Sequence, residues 1–266
     1  MSLLQHALRA GSSGVAAPAS ARRAGLGLLV AGGAGPLGSA VLERALAIGP
    51  WRPVTALVTQ PIEVALEGLR VAASPDDWSM APEASVHAEC ALIVFDRDAS
   101  AHGREAAFLR PRPAELPALA RWLQRAGVRR LLLVLPHAPA LLPAALKAGL
   151  ASLDEQAVAA LGFEQFTIVR PARAGTAAAG AAVGEGRLQR LGRALLSQLH
   201  WMVPQREQPL RAAKIAEFVV ELARGLPGAP HGTRVVPPEL LWDWAQPGGG
   251  DRVLQAWLQA PQTADA

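Results

Sequence analysis

The chain is 266 residues long, enough for one α/β domain with a full core and a small appendage. Its 26 Lys and Arg against 22 Asp and Glu leave a formal charge of +4, too small and dispersed for a dedicated nucleic-acid surface. One cysteine excludes a disulfide within the chain, the longest aliphatic run (Leu131–Leu135) is far short of a membrane span, and with no Tyr and no Asn no chemical step can use either.

Residues 1–25 are rich in Ala, Ser and Gly, carry Arg9, Arg22 and Arg23, and precede the first acid, Glu43. They read as a flexible extension of a cytoplasmic protein. The alternative is an organelle transit segment, which is acid-poor and rich in Arg and Ser, and would place the protein in an organelle matrix. Next, Leu26–Val30 predicts an apolar strand and Ser39–Ala47 an amphipathic helix, with a glycine turn between them. Gly33, Gly35 and Gly38 fit G-x-G-x-x-G, and Gly32, Gly35 and Gly38 fit the variant G-x-x-G-x-x-G. Such a turn needs glycine for its tight dihedrals, for approach to a pyrophosphate and for close helix–strand packing. With Pro36 and Leu37, these four glycines form the candidate phosphate cradle, because a helix N-terminus offers unpaired N–H groups and the positive end of its dipole.

The chain then alternates as a doubly wound fold requires. Strands are expected at Val54–Thr59, Cys90–Phe95, Arg130–Leu135, Gln165–Val169 and Thr233–Val236, with a short strand or turn in Val64–Val71. Helices are expected at Ala114–Ala126, Leu150–Leu161, Leu188–Leu199, Leu210–Arg224 and Pro238–Ala245, and Gly127 and Gly162 close two of them. The Ala/Gly-rich segment Gly175–Gly186 reads as a loop, and Arg187, Arg190 and Arg193 as a solvated helix face. Residues 247–266 hold a glycine linker and a tail helix, Arg252–Gln259, whose apolar stripe of Leu254, Trp257 and Leu258 must pack on this chain or on another. The fold class is therefore α/β, a doubly wound parallel Rossmann-like sheet over residues 26–246 with a small C-terminal lobe. Cys90 reads as a buried small hydrophobe. His87, His102 and His231 lack metal-ligand spacing, so no metal is expected.

From Gly103 through Phe108 and Ala118 to Val134, the chain resembles the atypical short-chain dehydrogenase/reductases, in which an E-x-F helix leads to A-G-V-K-R-F-V-L-V-S-S. The stretch from Ala159 through Gly162 to Arg170-Pro171 resembles the A-L-G-F-x-x-x-T-I-x-R-P of the same family, and Leu210–Ala216 resembles its later helix. The resemblance covers roughly residues 26–245 and is nearest to the oxidoreductase-like, Tat-interacting-protein branch, related to nitrogen-metabolite-repressor-like regulators. It implies NAD or NADP bound at the strand C-termini.

The chain departs from the family where the chemistry lies. Family enzymes hold a Ser, a Tyr and a Lys four residues after the Tyr, which together move the proton. Counting back from Gly162-Phe163 puts Lys147 at the Tyr position and Ala151 at the Lys position, and shifting the gap puts Pro143 where Tyr belongs. The Ser pair becomes Leu135-Pro136, followed by His137, and the assisting Asn falls near Pro111-Arg112. His137 with Lys147 is the candidate substitute pair, imidazole titrating near neutrality. At the end of the second strand, Thr59-Gln60 replaces the acid that would bind the ribose of NAD, which leans the pocket toward NADP. After Phe95 the chain reads Asp96-Arg97-Asp98, where Arg97 would pair with a pyrophosphate and Asp96 would repel it. The leading expectation is a nucleotide-binding protein without catalysis, a sensor of NAD(P) state or an interaction subunit that binds a protein partner or its own copies. An oxidoreductase with an unusual relay and a cofactor-free scaffold are the alternatives.

Overall fold

The computed structural model describes residues 27–62, 66–83, 85–96, 106–135, 150, 152–171 and 210–260. Among these residues seven strands form one sheet: β1 (Leu28–Ala31), β2 (Val54–Val58), β3 (Leu69–Ala73), β4 (Cys90–Val94), β5 (Arg130–Val134), β6 (Gln165–Val169) and β7 (Gly232–Val236). Their order is β3-β2-β1-β4-β5-β6-β7, and every neighbouring pair is parallel. The chain thus leaves β1 toward one edge and returns at β4 toward the other, the strand order of a Rossmann fold, and opens a crevice at the C-terminal ends of β1 and β4.

Among the described residues six α-helices pack on the sheet or on one another: α1 (Gly35–Ile48), α2 (Leu116–Arg125), α3 (Leu153–Ala159), α4 (Ala212–Gly225), α5 (Pro238–Ala245) and α6 (Gly250–Gln259). Alternate residues of each strand point to opposite faces, and two cores result. Leu28, Val30, Leu92 and Leu132 pack with α1, α4, α5 and α6. Leu29, Ile93, Leu131 and Leu133 pack with Leu119, Trp122 and Leu123 of α2 and Val158 of α3. β1, β2, β4 and β6 are buried at every position, as strands covered on both faces must be; β1 and β4 read as unbroken apolar runs for that reason, while β2 and β6 bury Thr55, Gln165 and Thr167 among apolar neighbours.

Several boundaries move from their sequence expectations. The first strand runs to Ala31 and its helix begins at Gly35, with Pro36 in its first turn. A proline there loses no hydrogen bond, so the helix starts within the glycine motif, directly after the turn at residues 32–34. In Val64–Val71 the strand is shifted to Leu69–Ala73, where parallel pairing with β2 fixes its register. The connection from β2 to β3 is too short for a crossover helix, which leaves an apolar groove of about 500 Å³ beside α1, lined by Leu42, Leu46, Leu66, Leu69 and Phe108. The tail helix starts at Gly250 and docks on α4 and α5 of its own chain, with Leu254 and Leu258 buried in the same core as α4. Gly175–Gly186 and Leu188–Leu199 lie outside the described residues.

Candidate functional site

Gly32, Gly33, Gly35, Pro36, Leu37 and Gly38 come together where β1 runs into α1 at the crevice. Each glycine has a physical reason within the chain. A Cβ on Gly32 (φ +106°) would overlap the Val94 carbonyl oxygen of the neighbouring strand, and one on Gly38 would overlap the Gly32 carbonyl oxygen. These two glycines let strand, turn and helix approach one another. Gly35 has φ +84°, and its missing Cβ would lie 2.7 Å from Oδ2 of Asp96.

That oxygen is the centre of the arrangement. Helix α1 has no side-chain cap of its own and no acid in its first turn. Instead the Leu37 N–H donates to Asp96 Oδ2 at 2.7 Å, across from the end of β4. A carboxylate from the adjacent strand thus sits on the helix N-terminus, where unpaired N–H groups and the helix dipole attract negative charge. Asp96 follows Phe95, which is buried and whose N–H donates to Val134 O at 3.0 Å, so the carboxylate is delivered from an anchored strand end. Asp96 and Arg110, with Pro111, Gly32, Ala34 and Val94, enclose a cavity of about 20 Å³, which has room for about one water molecule.

Thr59, at the end of β2, is held by residues 107–109, which precede α2. Its N–H and hydroxyl donate to Ala107 O at 2.7 and 3.2 Å, Leu109 N–H donates to Leu57 O at 2.9 Å, and Phe108 pairs antiparallel with Val58. Residues 107–109 therefore lie along β2 where β1 has already turned away. The Phe108 ring stands 3.2 Å from where a Gly33 Cβ would be.

Arg97, His137 and Lys147 lie outside the described residues. Sequence reasoning takes Asp96 as a loop charge, either repelling a pyrophosphate or solvated beside Arg97 and Asp98, and nothing in its neighbours signals that it caps α1, a contact across 59 residues. It also missed Glu155 and Arg170. These form an ion pair with side chains 5% and 4% exposed, between the first turn of α3 and the end of β6. α3 starts there because Ser152 caps it, accepting from Glu155 N–H at 3.2 Å. Cys90 opens β4 at the opposite end of that strand, and burial pushes its thiol up to about 12, so no thiolate is available as a nucleophile.

No helix among the described residues is long and apolar enough to cross a membrane. No family model matches the chain, and no curated protein matches it. Among solved structures, WbmG from Bordetella bronchiseptica in complex with NAD is similar at a TM-score of 0.48 and 15% identity, over 91% of each chain. The anaerobillin reductase ChuY from Escherichia coli O157:H7 is similar at 0.40 and 20%, over 79% of this chain and 96% of that one. UDP-N-acetylglucosamine 4-epimerase from Bacillus cereus is similar at 0.44 and 14%, over 79% of this chain and 77% of that one. At these identities and TM-scores nothing of those proteins' ligands or substrates transfers to this chain, and the Rossmann-like fold rests on the strand order itself.

Proposed function

We propose that this chain is a Rossmann-type protein that takes a dinucleotide at the glycine turn and performs no hydride transfer, serving as a nucleotide sensor or an assembly subunit. The observation that carries the reading is the Leu37 N–H, which already holds an anionic oxygen at 2.7 Å. The turn has the shape and polarity of an anion cradle, and Gly35 keeps clear the space such an oxygen needs. The catalytic half of the proposal rests on residue types. A chain without tyrosine, with Ala151 and Pro136 where the family resemblance places Lys and Ser, lacks the groups that would move a proton.

A screen of carbonyl substrates with NADPH and NADH tests the chemistry. The expected result is turnover at background, since loss of general acid/base assistance alone costs roughly 10²–10⁴-fold. Robust turnover that disappears in His137→Ala or Lys147→Ala overturns it. Mass spectrometry of nucleotide released from the purified protein, with calorimetry at up to millimolar NAD(P)H, tests the binding. A second reading, a cofactor-free scaffold, is favoured by the small size of the cavity beside Asp96 and by the lie of residues 107–109 along the end of β2. The absence of any bound or binding nucleotide would select it.

A further inference from the structure

We infer that Asp96 is a tethered stand-in for a ligand phosphate. It closes the cradle from within, and a dinucleotide enters only by driving this carboxylate off the Leu37 N–H. The inference rests on the dinucleotide reading of the glycine turn proposed above.

The position of the carboxylate carries the argument. Its Oδ2 lies 2.7 Å from the Leu37 nitrogen and 2.7 Å from where a Gly35 Cβ would stand. The second glycine of such turns is the one that lets backbone approach a pyrophosphate, so the oxygen occupies the space a phosphate oxygen would take. One N–H cannot serve both anions, and a pyrophosphate against a carboxylate at that range adds like-charge repulsion.

The placement is built rather than incidental. β4 is paired with β1 through Ala31↔Ile93 and with β5 through Val94↔Val134. The Phe95 N–H extends that ladder by one more bond, so Asp96 stands one residue beyond a fixed strand end.

The second contact lies on the same connection. Asp96 leaves β4, and Ala107–Leu109 at the far end of that connection is hydrogen-bonded along the end of β2. A ligand that expels Asp96 exchanges one anion for another on the Leu37 N–H, close to Gly33 and the Phe108 ring. This supplies a sensor with two arrangements, one with the carboxylate on the helix and one with the ligand there. A ligand shifts such an equilibrium only by its differential affinity, and its apparent Kd is raised by the scarcity of the open arrangement. A merely structural cap would leave ligand affinity alone and would register in stability only.

The test titrates NADPH and NADH against the native chain, Asp96→Ser and Asp96→Asn by calorimetry, with thermal unfolding of each confirming a cooperative fold. Serine removes the charge and shortens the side chain. Asparagine removes the charge and keeps an acceptor, and it decides the matter if the serine variant does not fold. The expected result is binding at least tenfold tighter in Asp96→Ser than in the native chain, with Asp96→Asn between them. Micromolar binding by the native chain that neither variant tightens overturns the inference and leaves the dinucleotide reading standing. No binding by any of the three at millimolar cofactor, all being folded, overturns the dinucleotide reading and the inference with it.

Discussion

Replacing Leu258 by alanine tests whether the tail helix belongs to the core. Leu254 and Leu258 are each 2% exposed, one turn apart on α6, and pack in the core that also holds Phe218 and Leu222 of α4. Gly225, at the end of α4, leaves the space into which a Leu258 methyl reaches, and a Cβ there would overlap it. The helix end is fixed by Arg234, which donates to the carbonyls of Trp257 and Leu258 while its guanidinium lies 3.9 Å from the centre of the Trp257 ring. Truncating a buried leucine costs roughly 2–5 kcal/mol, and α6 is a terminal helix with exposed residues along one side and can relax, which argues for about 3 kcal/mol. For a domain of this size that is a fall of about 6–12 °C in Tm. Thermal and urea unfolding followed by circular dichroism measure it, and light scattering on the same samples should give an unchanged mass. A loss below about 0.5 kcal/mol, the range of ordinary surface substitutions, would refute the docking of α6. A change in mass would show that its stripe serves an interface between chains.

Two further outcomes follow from the turn and the thiol. Gly38→Ala drives a Cβ into the backbone of Gly32 and Gly33 and should cost about 3 kcal/mol in urea unfolding, whereas Gly228→Ala, with nothing within 4 Å of the added carbon, should stay within about 0.5 kcal/mol. An equal loss at both positions would contradict the packing account of the turn. Cys90 should resist thiol reagents near pH 8 until the chain unfolds, because burial pushes its thiol up to about 12. The folded chain holds that proton where the unfolded chain releases it, so the stabilisation is present below the thiol's ordinary pKa. It is lost as pH rises from about 9 toward 12, by ~1.4 kcal/mol per pH unit. Cys90→Ala should flatten that alkaline decline, and an unchanged slope would refute it.

The sequence by itself determined the sheet and the turn. Cys90–Val94, Arg130–Val134 and Gln165–Val169 were legible because a parallel strand covered on both faces must be apolar nearly throughout. The glycine spacing marked the βα turn because backbone clashes admit no Cβ at Gly32 or Gly38, a constraint that acts within one turn of chain or one neighbouring strand. The residue types missing from the chain were equally plain. Only the tertiary structure decided what fills the crevice. A side chain's identity does not say which helix N-terminus it will meet. Asp96 reaches Leu37 because β4 pairs beside β1, and Phe108 reaches Gly33 because its segment hydrogen-bonds along β2. The Glu155–Arg170 pair and the docking of Leu258 over Gly225 were hidden for the same reason. Periodicity is local and survives in the sequence, whereas these contacts join segments whose distance only strand order and helix packing set.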